Sequence, residues 1–282
     1  MYDLCDIKTV KQLCKAYDFK LKKGLGQNFL INGSVLAQIV ESGEVEGADC
    51  LEIGPGFGAL TAELAKSSAR VVAIEKDTTL MPVLKETLSE FQNVSVVYDD
   101  VLKLDLSTLI NEQFNGRECI VVANLPYYIT TPIFCYLLES ELNISKIIIM
   151  VQEEVAERLC SPPGKKAYGA ITVLTNFFGE PELLFKVPAN NFFPAPKVNS
   201  AVIRVNLKKK NITDDQKLFF KVVRAAFANR RKTLANALKN SGFFNSEAIL
   251  PAIRKSGFSD MVRGEELSVY EFAELAKNLS IE

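Results

Sequence analysis

The tetrapeptide Asn124-Leu125-Pro126-Tyr127 sets an amide, a main-chain carbonyl, a stiff ring and an aromatic face side by side. Together these suit one task, making the exocyclic amine of a nucleobase attack an electrophile. Such an amine is a poor nucleophile because its lone pair is delocalised into the ring. The side-chain oxygen of Asn124 and the backbone oxygen of Leu125 can accept its hydrogens, draw the nitrogen toward a tetrahedral shape and localise the pair. Pro126 stiffens the loop, and Tyr127 offers a face on which the base can stack. Catalysis of this kind is positioning and electrostatics, and it needs no imidazole. The chain has no histidine at all, which excludes Ser-His-Asp triads, Cys-His dyads and histidine-ligated metals. The same stretch also reads as a plain strand-to-helix turn, with Thr131 capping and Pro132 at the first helical position. That reading accounts for Pro132 but for neither Asn124 nor Tyr127.

An electrophile needs its own seat, and Leu51-Glu52-Ile53-Gly54-Pro55-Gly56-Phe57-Gly58 offers one. The segment closes a strand and opens a helix, and its glycines allow a sharp turn and a close approach of backbone to a ligand. The spacing is G-x-G-x-G, with Ala59 directly after the last glycine, and not the G-x-G-x-x-G of dinucleotide sites. Pro55 also removes a backbone donor that a pyrophosphate would want. Gly54 and Gly56 therefore suit an adenosyl group that carries no phosphate. Glu75 ends the next strand, twenty-one residues after Gly54, where a carboxylate can accept from both ribose hydroxyls. Asp100 follows the third strand and can accept from an adenine amine. Each acid alone reads as a solvated loop carboxylate, but three such features at successive strand ends point to a nucleotide-like cofactor. A sulfonium donor such as S-adenosylmethionine would bring its own leaving group. A second aromatic source is Phe192-Phe193-Pro194-Ala195-Pro196, a rigid turn whose Phe192 could close over the other face of a flipped base. Two phenylalanines before a proline also suit a core.

The elements that must hold these groups follow from hydrophobic patterning. Runs at 51–53, 70–75, 93–98, 118–123 and 146–152 are apolar throughout rather than alternating, as in parallel strands covered on both faces. A helix over 59–66 follows the first run, and strands at 181–187 and 198–207 follow later. This predicts an α/β fold with an open, mostly parallel sheet of seven strands and ligands at the strands' carboxyl ends. Ahead of it stand a helix over 7–17, a basic loop over 20–30 and a helix starting near Asn32 or Ser34. The run Lys208–Asn211 reads as a linker, and from about Asp214 only helical periodicity remains. The expected division is therefore 1–207 and a small all-helical domain over 208–282. Hydrophobic residues make up 48% of the chain, enough for a real core, and the net charge is −1. Six cysteines lie at 5, 14, 50, 119, 135 and 160 with no metal-knuckle or redox spacing, and read as free thiols in a reducing compartment. Asp3 and Asp6 argue against a signal peptide, and the longest apolar run, Ile147–Val151, is far too short to span a membrane. A soluble cytoplasmic protein, monomeric when free and without a metal, is expected.

Five motifs, taken in order, resemble the ribosomal RNA adenine dimethyltransferases. They are GQNFL (26–30), LEIGPGFGALT (51–61), NLPY (124–127), VQEEVAERL (151–159) and FFPAPKVNSAVIR (192–204). The resemblance runs from about residue 20 to the end. It implies a Rossmann-like methyltransferase sheet and transfer of methyl groups from S-adenosylmethionine to two adjacent adenosines near the 3′ end of small-subunit rRNA during subunit assembly. By position it implies that Asn28 and Leu30 contact the cofactor and Gly54 lines it. Glu75 would hold the ribose and Asp100 the adenine amine, while Asn124 would touch both cofactor and target. The family's F-x-P-x-P-K-V pattern places its aromatic at Phe192, and Phe193 takes the variable slot. The leucine of NLPY favours the small-subunit type over the antibiotic-resistance relatives that act on large-subunit rRNA.

An RNA partner needs a local basic surface in a near-neutral chain. From Arg204 to Lys239 there are eleven Lys or Arg against two acids. Arg230, Arg231 and Lys232 are the expected phosphate contacts there, with Lys22 and Lys23 adding to them from the N-terminal loop. A charge run is more commonly a solvated face, and Lys165 and Lys166 read equally as RNA contacts or as exposed loop lysines. Three other functions share parts of this pattern. A large-subunit rRNA adenine methyltransferase has the same cofactor site. A non-catalytic RNA-binding assembly or transcription factor would lack the Asn124 cluster or the cofactor acids. A dinucleotide-dependent oxidoreductase conflicts with the glycine spacing.

Overall fold

The structure, a computed structural model, describes residues 2–20, 26–208 and 211–279. Its elements in chain order begin with α1 (Ile7–Ala16), β1 (Phe29–Leu30), α2 (Gly33–Gly43), β2 (Asp49–Ile53), α3 (Ala59–Ser67), β3 (Arg70–Glu75), α4 (Met81–Thr87), β4 (Val94–Tyr98), α5 (Leu106–Phe114) and β5 (Cys119–Asn124). They continue with α6 (Thr130–Glu139), β6 (Ile144–Gln152), α7 (Glu153–Leu159), α8 (Ala170–Phe178), β7 (Gly179–Val187), β8 (Phe192–Phe193), β9 (Ser200–Leu207), α9 (Gln216–Ala228), α10 (Leu234–Ser241), α11 (Ser246–Lys255) and α12 (Val269–Asn278). The chain divides into two compact units. The first holds the residues up to Ala156 and Glu182–Leu207; the second holds Glu157–Pro181 and the chain from Lys208.

The first unit is built on a seven-stranded sheet in the order β4-β3-β2-β5-β6-β9-β7. Strands β4, β3, β2, β5 and β6 are parallel, and β9 runs antiparallel to β6. Every residue of β2 is buried, as are all but the ends of β3 and β5. That is why Val, Ile, Leu, Ala and Cys fill most of their positions, with Glu52 a buried acid inside β2. The chain leaves β2 toward β3 and β4 on one side, then returns to β5 and β6 on the other. The strand order therefore reverses beside β2, and a crevice opens at the carboxyl ends there. Helix starts follow local chemistry. The Asp6 carboxylate accepts from the amides of Lys8 and Thr9 at α1, and the Asn32 side chain accepts from Ser34 and Val35 at α2. At α6 the expected cap at Thr131 is not used. The helix begins two residues before Pro132, at Thr130, whose hydroxyl donates to the Pro126 carbonyl at 3.1 Å.

A second, two-stranded ladder joins β1 to β8, pairing Phe29 with Phe193 and Leu30 with Phe192 in antiparallel register. It ties the N-terminal loop to the Pro-rich turn, which no sequence pattern signalled. Phe19, Phe29 and Phe57 pack edge to face above the glycine loop, with ring centroids 4.5 Å apart for Phe29–Phe57 and 5.4 Å for Phe19–Phe57. Such pairs contribute about 0.5–1.5 kcal/mol each beyond area burial.

The second unit is helical, and it does not start at the linker. Residues 157–181 belong to it, whereas the sequence pattern suggested a single cut after 207. The reason is packing. Tyr168, Val173 and Phe177 share one core with Phe219, Val223, Leu238, Ile253 and Phe272. The Tyr168 hydroxyl donates to the Leu267 carbonyl at 2.8 Å, and the Lys208 amide, at the expected linker, donates to the Phe178 carbonyl at 3.1 Å. All six cysteines are free. Cys50 and Cys119 are buried and the other four are half-buried. Burial pushes the Cys50 and Cys119 thiols up to about 12, so both are inert at neutral pH.

Candidate active site

The crevice at the carboxyl ends of β2, β3 and β5 is a cleft lined by residues from the GQNFL, LEIGPGFGALT and NLPY motifs and by the acids at the ends of β3 and β4. Gly54, Gly56, Glu75, Asp100, Asn124, Leu125, Pro126 and Tyr127 all face it, with Asn28 and Leu30 arriving from the N-terminal loop. These groups are scattered over a hundred residues of sequence. The reversal of strand order beside β2 brings them together.

The glycine loop is shaped for close approach. Gly54 has φ +75° and Gly56 has φ +59°, a region that L side chains avoid. A Cβ on Gly54 would meet no protein atom within 4 Å, so it would project into the cleft itself. A Cβ on Gly56 would stand 2.9 Å from the Phe29 ring. The loop thus leaves room for a ligand at Gly54 and is closed by an aromatic ring at Gly56. The Gly56 amide points inward and donates to Glu75 Oε2 at 3.3 Å, while Glu75 Oε1 accepts from the Asp77 amide at 2.7 Å. Glu75 is 7% exposed, and its burial raises the carboxyl's pKa against the pull of those two backbone donors. Asp100 is held differently. Its Oδ2 lies 2.9 Å from Lys76 Nζ and its Oδ1 accepts from the Leu102 amide. The Lys76 ammonium holds its carboxyl below the usual range.

Around Asn124 the loop is braced from several sides. Asn124 Nδ2 donates to the Asn28 carbonyl at 3.4 Å, and Asn28 Nδ2 donates to the Gly26 carbonyl at 3.1 Å. With its nitrogen turned toward Asn28, Asn124 keeps Oδ1 as an acceptor. The Tyr127 hydroxyl is 2.7 Å from Ser200 Oγ on β9, which fixes the plane of its ring. An adenosyl ligand fits this donor set: an open glycine cradle, a buried carboxylate at a strand end and no phosphate-binding cluster of amides. Among the described residues no group of His, Cys, Asp and Glu could hold a metal ion, and no helix is long and apolar enough to cross a membrane.

Phe192, expected as the stacking aromatic, sits elsewhere. It is 4% exposed and packs in the core with Leu30, Leu36 and Val202, because its place in β8 opposite Leu30 turns it inward. Phe193, on the other face of that strand, is half-buried under Lys11, whose Nζ lies 5.5 Å from the ring centroid. Neither lines the cleft. The aromatics that do line the cleft besides Tyr127 are Phe29 and Phe57 beside the glycine loop and Tyr128, which is 56% exposed. Other lining residues that sequence reasoning passed over are Gln27, Glu52 and Lys76. Glu52 carried a signal, as an acid flanked by Cys50, Leu51 and Ile53 inside a buried strand. Lys76 carried a weaker one, as the neighbour of Glu75.

Of the expected phosphate contacts, Lys22 and Lys23 lie outside the described residues. In the second unit Arg231 and Lys232 are exposed. Arg230 is instead engaged within the protein. Its Nε donates to Glu265 Oε2 at 3.1 Å, and its terminal nitrogen donates to the carbonyls of Lys166 and Tyr168. A guanidinium used this way cross-links the segment near 166 to that near 265 and is a poor candidate for RNA contact.

Residues 18–279 match the family described as ribosomal RNA adenine dimethylase. The chain is 44% identical over 277 residues to the ribosomal RNA small subunit methyltransferase A of Alkaliphilus oremlandii, covering 97% of this chain and 96% of the relative. It is 45% identical over 286 residues to the protein of that name from Bacillus cereus, covering 99% and 98%. Among solved structures it resembles the 23S rRNA methyltransferase ErmE, with TM-score 0.71 and 26% identity over 89% of this chain and 99% of that one. It is also similar to a dimethyladenosine transferase from Plasmodium falciparum, with TM-score 0.71 and 22% identity over 86% and 94%, a likeness of fold.

Proposed function

The chain belongs to the ribosomal RNA adenine dimethylase family, and from that premise we propose that it methylates small-subunit (16S) rRNA with S-adenosylmethionine as donor. The targets are the exocyclic amines of two adjacent adenosines near the 3′ end, modified in the cytoplasm on a pre-assembled subunit by a protein that is monomeric when free. One observation carries the reading. A single cleft is lined both by the cofactor-type acids Glu75 and Asp100 and by the amine-activating loop at Asn124.

When bound, the cofactor supplies an electrophilic methyl carbon and a thioether leaving group. The protein's residues do the rest. Gly54 leaves space for the ligand, and Glu75, buried at the end of β3, accepts from the ribose hydroxyls. Asp100 has lone pairs left for the adenine amine beside those used by Lys76 and Leu102. Asn28 and Leu30 close the N-terminal side. Asn124 Oδ1 and the Leu125 carbonyl accept the hydrogens of the target amine and localise its lone pair. Tyr127, its ring plane fixed by Ser200, stacks on the extruded base. The surplus proton leaves the methylated amine for solvent after transfer. Arg231 and Lys232 supply phosphate contacts on the second unit.

The test is transfer of labelled methyl groups to small subunits from a methylation-deficient strain. Replacing Asn124 with Ala should lower the rate by roughly 10²–10³-fold, the size of effect seen when one preorganised hydrogen-bonding group is removed. Equal labelling by wild type and variant, or label appearing on large subunits, would overturn the proposal. The large-subunit alternative is disfavoured because the relatives at 41–45% identity are named for the small subunit, whereas ErmE shares 26%. A non-catalytic role is disfavoured by the intact Asn124 loop and cofactor acids.

A further inference from the structure

Glu52 has no part in the mechanism above. It lies within β2 between Leu51 and Ile53, in register with Ala73 of β3 and Val122 of β5. It is 1% exposed, yet it lines the cleft. No hydrogen bond of good geometry satisfies its Oε2 or the neighbouring hydroxyl of Thr61 on α3, which is 0% exposed. A buried polar atom left unanswered costs about 1–3 kcal/mol, and more if it is charged. The charged groups lining the cleft are Glu52, Glu75, Asp99, Asp100 and Lys76, and Asp77 touches Glu75 from below. Lys76, the one cation among these, is committed to Asp100. Neither β5 nor α3 brings a charged side chain to the cleft wall. The cleft wall is thus acidic, and Glu52 is its most deeply buried carboxyl, with no cation beside it among the described residues.

We propose that Glu52 is protonated before the cofactor enters and becomes the counter-charge of the cationic donor. It gives its proton to solvent when S-adenosylmethionine binds and takes one back once the sulfonium has become a thioether. This rests on the cofactor reading given above. Desolvation pushes the Glu52 carboxyl up to about 8, with the Thr61 hydroxyl opposing and the Glu75 charge adding. A nearby positive charge lowers a carboxyl by about 1–3 units, which carries Glu52 through neutrality in the direction required. Methyl transfer removes that positive charge and restores the first state. The same carboxyl would then hold the donor more tightly than the spent product and assist its release.

The experiment is isothermal calorimetry of the full chain at pH 7 in buffers of different ionisation enthalpy, with S-adenosylmethionine and with S-adenosylhomocysteine. From a free value near 8 and a drop of about 1–3 units, donor binding should release about 0.4–0.9 proton. S-adenosylhomocysteine, which carries the same amino-acid moiety without the sulfonium, should release less than about 0.2. Glu52→Gln, which keeps the shape, should release none with either ligand and should prefer the donor over the product less strongly. Equal proton counts for the two ligands overturn the proposal, as does release that persists in Glu52→Gln. The wild-type comparison decides even if the variant fails to fold. A donor that binds without proton release sinks this inference alone, whereas a chain that does not bind S-adenosylmethionine sinks the cofactor reading with it.

Discussion

Replacing Gly54 with Ala isolates the contribution of the cofactor cradle, because the structure provides its own control. Gly47 and Gly54 have similar positive φ angles, +66° and +75°, and in neither case would an added Cβ meet a protein atom within 4 Å. An alanine in this conformation costs about 1–2 kcal/mol. Both variants should therefore lose that amount of stability. For a unit of this size it corresponds to a fall in Tm of roughly 2–8 °C. They differ in what the new methyl points at. Gly47 precedes the amino end of β2, away from the cleft, whereas Gly54 lies at the carboxyl end inside it. A methyl group forced against a well-fitted ligand costs about 1–3 kcal/mol, or roughly 5- to 150-fold in Kd. Chemical denaturation and calorimetric titration with S-adenosylmethionine, run on both variants, measure the two effects separately. Gly47→Ala should bind within about twofold of wild type, the usual error of such comparisons. Equal Kd values for the two variants, or a much larger stability loss for Gly54→Ala, would refute the assignment of the cradle.

Three further outcomes are expected. Glu52 has a raised folded value, so the stability it contributes is fully present below the unfolded range near 4.5 and is lost as pH rises through about 8. The denaturation midpoint of wild type should fall between pH 5 and pH 8, and Glu52→Gln should flatten that fall; the depressed carboxyls of Asp6, Asp100 and Asp105 titrate below this window. A midpoint that is flat in wild type contradicts the buried protonated state. In the second unit, Arg230→Met should lower stability by about 1 kcal/mol, a figure discounted for its half-exposed side chain. Arg231→Ser with Lys232→Ser should leave stability unchanged and reduce the salt slope of RNA binding by about two; the reverse pattern in melting and filter-binding assays would exchange their roles.

The strands were legible because the central parallel ones, β2, β3 and β5, are buried along almost their whole length. A parallel strand covered on both faces has to be an unbroken apolar run, so 70–75 was read with its exact bounds and the others to within two residues. The residues at their carboxyl ends were legible for the same reason, since a polar group directly after such a run has to sit at the sheet's binding edge. What escaped was decided by long-range packing. Two-residue strands leave no period to detect, so the β1–β8 ladder was invisible, and with it the inward turn of Phe192. Arg230 looked like its neighbours Arg231 and Lys232 because charge density does not reveal which guanidinium finds a carbonyl. The segment 157–181 reads as a continuation of the sheet domain until Tyr168 and Phe177 are seen in the helical core. Glu52 was visible as an anomaly, but its meaning depends on the cleft that β3 and β5 build around it.

The pairing of Phe29 and Leu30 with Phe193 and Phe192 sets an order on the protein's own synthesis. Asn28, which holds the amide of Asn124, is carried on a segment whose partner strand is translated 162 residues after Leu30. At a bacterial elongation rate of about 5–20 residues per second, that interval is roughly 8–30 s. During it the central strands can pair and Phe29 can pack on Phe57, but the β1–β8 ladder cannot form. The ladder that ties the N-terminal loop to the sheet unit therefore closes only after the Pro-rich turn has left the ribosome, late in the protein's own synthesis.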